Sequence, residues 1–251
     1  MDTLKLNWNG LDLIGSAHIP AGASDAVLML HGFTGSRIEF TYLFVDLSRQ
    51  WEAQNLASFR FDFPGCGESD GEFAQMTVAQ QIAVTEFLIT QLRVLYPQLR
   101  LHVLGFSMGG LVALHTLARA PRDLLAAVTS LCAIAPALNI TEVVPQQAAA
   151  IAKPLPHGGF DLLGMEVGMP LLSELASFDA WARLDQIMLP LLIVHGELDA
   201  VVPVADSAAL AQQIAGASFA QIDAADHVFA QIGHRRLLAN TVAQWVISQA
   251  T

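Results

Sequence analysis

Apolar positions in this 251-residue chain fall into short continuous runs separated by longer stretches with helical spacing. Leu4–Trp8 and Leu11–Ile19 flank Asn9-Gly10, a dipeptide that tolerates the positive φ angles of a two-residue turn, so the chain is predicted to open with an antiparallel hairpin. Apolar runs near Val27–Leu30, Ala57–Phe61, Leu101–Leu104, Ala126–Ile134, Leu191–Val194 and Phe219–Ile222 then alternate with helical patterns. Such alternation predicts an α/β fold with a mostly parallel sheet and helices on both faces. The best-marked helix runs from Val78 to Tyr96, where Val78, Ile82, Thr85, Ile89, Leu92 and Tyr96 follow one helical face. Thr77 and Gln80 have capping-box spacing at its start, and Pro97 ends it. Leu238, Val242, Trp245 and Gln249 outline a C-terminal helix.

The alternation fails once. The stretch between the runs ending near Ala135 and beginning at Leu191 far exceeds a usual helix-to-strand connection of about 2–6 residues. The pattern therefore predicts a core of residues 1–137 and 190–251 carrying an insertion over 138–189. Pro145, Pro154, Pro156, Gly158 and Gly159 punctuate that insertion, and its Leu-, Met-, Phe- and Trp-rich second half predicts one or two amphipathic helices.

Composition then narrows the class. Apolar residues are 53% of the chain and charged residues 14%, against typical values of about 45–50% and about 25%, which excludes a disordered chain. The mean hydropathy of +0.47 raises the question of a membrane span, and the uncharged run Leu124–Thr141 reaches the lower limit of the required length. Pro136 and Asn139 interrupt it, and its richest part reads as a buried strand. Twelve basic residues against twenty-three acidic ones give a net charge of −11, with Arg235-Arg236 as the only adjacent basic pair. A nucleic-acid partner is therefore not expected. Cys66 and Cys132 have no CxxC spacing, so neither a zinc site nor a disulfide framework is predicted. With no secretory signal apparent at Met1–Trp8, the expected location is cytoplasmic.

The candidate chemistry centres on Gly105-Phe106-Ser107-Met108-Gly109. This G-x-S-x-G follows an apolar strand and opens a helical run, the context in which a serine is presented on a sharp turn as a nucleophile. Serine needs a base, and the base an orienting acid, which in this architecture follow in the order Ser, Asp or Glu, His. His227, just beyond the last predicted strand, is the candidate base; His157, His195 and His234 read as packing or surface residues. In His195-Gly196-Glu197-Leu198-Asp199, Asp199 precedes the turn into the next helix and is the candidate acid, while Glu197, Asp223 and Asp226 read as structural or loop-forming. The backbone N–H groups of Met108 and of Phe33, in His31-Gly32-Phe33-Thr34-Gly35, are the candidate oxyanion donors. His157-Gly158-Gly159-Phe160 imitates a lipase oxyanion motif but lies after the nucleophile, inside the insertion.

His31-Gly32-Phe33, the run Arg60 to Gly71, the elbow at Ser107, His195 to Asp199 and Asp226-His227 together resemble an α/β-hydrolase, most closely the bacterial cinnamoyl or feruloyl esterases and related carboxylesterases. The resemblance spans nearly the whole chain and is weakest over Leu138–Leu189. It implies an eight-stranded sheet, a lid inserted between strands six and seven, the triad Ser107, Asp199 and His227, and no cofactor or metal. Arg60 to Gly71 would be a structural loop beside the site. Two positions depart from many relatives: Phe106 and Cys66 stand where histidine is frequent, making the surroundings more apolar. No polar pair in the insertion matches those that hold a phenolic hydroxyl.

The expected activity is hydrolysis of small to medium apolar or aromatic carboxylic esters through an acyl-enzyme. Phe160, Leu163, Met165, Met169 and Leu172 are the insertion's candidate substrate contacts. The expected partner is a small-molecule ester, and the protein a monomer or homodimer. An acyl thioesterase could use the same triad, and a non-catalytic binding protein is the alternative of another class. Ser107 itself argues against dehalogenases and epoxide hydrolases, which use an aspartate nucleophile.

Overall fold

The computed structural model describes residues 1–249. The chain opens with β1 (Asp2–Trp8) and β2 (Leu11–His18), joined through Asn9 and Gly10 at φ 50° and 89°. Then come β3 (Asp25–Leu30), α1 (Leu43–Glu52), β4 (Ala57–Phe61), α2 (Val78–Leu95), β5 (Arg100–Phe106), α3 (Met108–Arg119), α4 (Arg122–Ala126) and β6 (Ser130–Ile134). After α5 (Ile140–Ile151), β7 (Lys153–Pro154), β8 (Phe160–Leu162), β9 (Met165–Val167) and α6 (Met169–Leu175), the chain returns through β10 (Leu191–Gly196), α7 (Val204–Gln213), β11 (Ser218–Ile222) and α8 (Ile232–Ser248).

Eight strands form one sheet in the order β1-β2-β4-β3-β5-β6-β10-β11. The first two pairings, β1 with β2 and β2 with β4, are antiparallel and the rest are parallel. Side chains alternate between two cores as the period of two requires. Leu28, Val103, Leu131 and Ile193 join the layer holding α2 and α3, whereas Met29, Leu104, Cys132 and Val194 join that of α1 and α8. On the second side Trp51 Nε1 donates to Ala239 O at 2.9 Å, joining α1 to α8.

Two sequence-based expectations shift. The sixth strand starts at Ser130 rather than Ala126, because Arg122–Ala126 coil into α4 with only Leu124 buried. The insertion carries a three-stranded antiparallel sheet, β7-β8-β9, across its middle, and its second half holds one short helix, α6. Its longer helix, α5, lies in the first half and contains Pro145. Phe160, Leu162, Val167, Leu171 and Leu175 join the α2–α3 core, so the segment is packed into that layer rather than hanging from the fold. Glu174 accepts from Val78 N–H at 2.6 Å and Ala79 N–H at 2.8 Å, and Thr77 Oγ1 caps Gln80 N–H at 3.0 Å. These bonds occupy free donors at the start of α2.

At the edge of the sheet where β3 and β5 begin, Ser130 Oγ meets His102 Nδ1 at 2.8 Å and His102 Nε2 meets Asp25 Oδ1 at 3.2 Å. Arg100 grips Asp25 with two bonds of 2.7 Å. Burial lowers the His102 pKa below 6.5, only partly opposed by Asp25. Asp25 is lowered below 3.8, burial being outweighed by bonds from Arg100 and His102. A folded-state pKa below the unfolded one means stability that is complete above the unfolded value and lost as pH falls. The histidine contribution therefore fades as pH falls from 6.5, and that of Asp25 only below 3.8. Urea midpoints of the wild type should fall more steeply on acidification below 6.5 than those of His102→Gln; parallel curves would refute this assignment.

Candidate active site

Ser107 stands between β5 and α3 with φ 53° and ψ −119°, a region that residues with side chains rarely occupy. The turn needs glycine on either side. A Cβ on Gly105 would lie 2.1 Å from Gly109 O, and one on Gly109 would lie 2.1 Å from Leu30 O. Because the parallel strands end together, this turn, the loop after β10 and the loop after β11 meet at one edge of the sheet.

There the structure brings together the three residues singled out in the sequence. Ser107 Oγ–H donates to His227 Nε2 at 3.2 Å, and His227 Nδ1–H donates to Asp199 Oδ2 at 2.6 Å. The Phe106 ring packs against the His227 ring with centroids 5.0 Å apart, so this departure from the relatives' histidine supports the imidazole. Asp199 Oδ1 accepts from Val201 and Val202 N–H, each at 2.8 Å. Burial pushes its carboxyl pKa up, but bonds from His195 and His227 outweigh burial and hold it well below the usual carboxylate range. The acid is thus ionised wherever an imidazole titrates, and the imidazole can accept the serine proton.

The loop after β3 supplies a donor. Gly32 O accepts from His31 Nδ1–H at 2.9 Å and from Gly35 N–H at 3.1 Å, while His31 Nε2 accepts from Phe63 N–H at 3.1 Å, which fixes the His31 tautomer. The carbonyl and amide of one trans peptide point opposite ways, so these bonds turn Phe33 N–H away from His31. Among the described residues it meets no acceptor. Gly32 itself is pressed so close that a Cβ there would lie 3.2 Å from Ser107 Cβ. Met108 N–H opens α3 and has no intrahelical acceptor.

A cavity of about 620 Å³ opens over Ser107 and His227, within the about 300–1,000 Å³ usual for small-molecule sites. Phe33, Phe73, Ile140, Val143, Val144 and Met165 give it a largely apolar wall. No Lys or Arg lines it. Gly65, Cys66 and Gly67, in the run read as structural, also border it. Burial, with Asp62 adding to it, pushes the Cys66 thiol up to about 12, which removes it as a rival nucleophile at neutral pH.

Of the five insertion candidates, only Met165 lines the cavity. Phe160 is core at 7% exposure, Leu163 is 80% exposed where the β8–β9 chain reverses, Met169 is 47% exposed, and Leu172 packs beside the core. Three of the wall residues come instead from α5, whose Ile140, Val143 and Val144 have the spacing of one helical face. His157 is a surface residue bonded to Glu166, His234 sits in the first turn of α8, and Glu197 and Asp226 brace backbone at Ala224 and Ala230. Sequence reasoning missed two residues. Glu39 braces the β3 loop, its Oε1 accepting from Gly32 N–H at 2.5 Å and its Oε2 from Phe40 N–H at 2.8 Å; nothing in its sequence context marks it. His195 is buried against Asp199, with Nε2 3.1 Å from Oδ2, and the four-residue spacing was its available signal. Among the described residues no cluster of His, Cys, Asp and Glu is arranged to hold a metal ion, and no helix is long and apolar enough to cross a membrane.

A family model described as alpha/beta hydrolase fold matches residues 25–153. No curated protein sequence matches the chain. Among solved structures, Est1E from Butyrivibrio proteoclasticus with ferulic acid bound superposes with a TM-score of 0.84 at 21% identity, covering 98% of this chain and 99% of that one. The esterase domain of a Rhodothermus marinus protein gives 0.72 at 21% identity, covering 97% and 96%. Alpha/beta hydrolase domain-containing protein 10 from mouse gives 0.72 at 19% identity, covering 100% of each chain.

Proposed function

The chain belongs to the alpha/beta hydrolase fold family, and from that premise we propose that it is a serine ester hydrolase acting on carboxylic esters of small to medium apolar or aromatic acids. The observation that carries this reading is the unbroken line of hydrogen bonds from Ser107 through His227 to Asp199, beside two backbone donors that meet no acceptor among the described residues. His227 takes the Ser107 proton as Oγ attacks the ester carbonyl, while Phe33 and Met108 N–H receive the developing oxyanion. The proton passes to the leaving alcohol, and water activated by His227 releases the acid from Ser107. No cofactor is required.

Residues 138–189 act in this reading as a lid on a core of 1–137 and 190–251, with α5 and Met165 forming the roof of the cavity. The ferulic acid held by Est1E has the size and aromatic character that the walls of Phe33 and Phe73, rings 5.8 Å apart, would accept. The absence of cationic lining favours neutral acyl groups. Two free, buried cysteines suit a reducing, cytoplasmic setting. Across esters of graded acyl length, with ethyl ferulate and an acyl thioester included, kcat/KM should peak at medium apolar or aromatic acids. Activity confined to acetyl esters, or to long-chain lipids at an interface, would overturn the acyl range; a preference for the thioester would overturn the ester assignment.

A further inference from the structure

Asp199 Oδ2 receives two imidazoles, not one. His227 Nδ1 lies 2.6 Å from it and His195 Nε2 3.1 Å, with both the His195 and Asp199 side chains fully buried. The surroundings of His195 define its tautomer. Its Nε2 faces two acceptors, Asp199 Oδ2 and Val202 O at 3.0 Å, so Nε2 carries hydrogen. Its Nδ1 faces Ser207 Oγ on α7 at 2.7 Å, which donates into the ring.

We propose that His195 is a positioning residue for the acid and base: its Nε2–H, bonded to Val202 O, stands against the same carboxylate oxygen that orients His227, and sets how much of that oxygen's charge the base feels. This rests on the reading of Ser107, His227 and Asp199 as the reacting groups. Oδ1 is already fixed by two backbone amides, so Oδ2 is the carboxylate's adjustable end. A second N–H there shares the charge of Oδ2, so removing it would leave all of that charge to His227. Charged groups near this cluster include Asp206 on α7, whose carboxyl interacts with His195, Glu142 on α5, which interacts with Asp206, and Asp226 beside His227, whose Oδ1 accepts from Ala230 N–H. The remaining face of His227 is covered by the uncharged Phe106 ring.

Replacing the donor while keeping a ring tests this. In His195→Phe, kcat should fall roughly ten- to a hundredfold, the scale of one hydrogen bond to a charged group, with little change in KM. The acidic limb of the kcat/KM profile should move to higher pH. His195→Gln, whose amide nitrogen can reach the Nε2 position, should restore most of the rate and return the limb toward its original place. NMR titration of His227 in the unliganded protein should show the same upward movement in His195→Phe without reference to any substrate. An unmoved His227 titration and an unmoved acidic limb in His195→Phe would overturn the proposal. If the wild type hydrolysed no ester and took no fluorophosphonate while His227 still moved, the proposed function would fall and the positioning role would stand. Should His195→Phe fail to fold, His195→Met decides: its side chain fills the site and carries no donor. His227 must again titrate at higher pH, and no change overturns the proposal.

Discussion

Ser107→Ala is expected to lower turnover of an activated ester by up to about a millionfold, the scale reached when a triad nucleophile is lost. The variant should fold normally, since alanine keeps the Cβ that already occupies the turn at φ 53° and removes only Oγ. Labelling by a fluorophosphonate probe should disappear with it. Retained turnover in a folded Ser107→Ala protein would end the case for an acyl-enzyme at this position. An unlabelled, inactive wild type would instead favour a binding protein on a hydrolase scaffold.

Asp199→Asn should cost about ten-thousandfold in kcat, by a route the hydrogen bonds define. The two backbone amides at Val201 and Val202 demand an oxygen at the Oδ1 position. The asparagine NH2 must then take the place of Oδ2 and face His227 Nδ1 and His195 Nε2. Two donors would meet, and His227 would escape the clash by moving its proton to Nε2, where it points at Ser107 and can no longer accept. The loss should appear in kcat with KM little altered, and His227 should show the exchanged tautomer by nitrogen NMR. A rate within tenfold of wild type would remove Asp199 from the role of acid.

The sheet was legible because its central strands are continuous runs buried on both faces, and because Asn9-Gly10, Thr77 and Pro97 punctuate the chain with local chemistry. The elbow was legible for a steric reason, since Gly105 and Gly109 stand where any Cβ would strike backbone. The walls of the cavity were not. Strands of two or three residues such as β7, β8 and β9 are too short to show a period. In α5, Ile140, Val143 and Val144 have the spacing of one helical face, but spacing alone does not say that this face looks into a cavity. Counting apolar residues identified an amphipathic segment, but burial against α2 and α3 decided that Phe160 faces the core and Leu163 the solvent. His195 was read as packing because an apolar strand ends there; the turn after Gly196 brings Asp199 back onto it, a contact that lives in three dimensions.

One strand, β5, carries a serine–histidine–aspartate chain at each end. Near its start, Ser130, His102 and Asp25 reproduce the order of partners found beyond its end at Ser107, His227 and Asp199. Yet Ser130 is 1% exposed and borders no described cavity. The molecule thus holds its own internal control. A probe that reads nucleophilic serines should mark one end of the strand and ignore the other, and the contrast isolates what hydrogen-bond order alone does not supply: an open approach, a turn that thrusts the hydroxyl outward, and free amides waiting beside it.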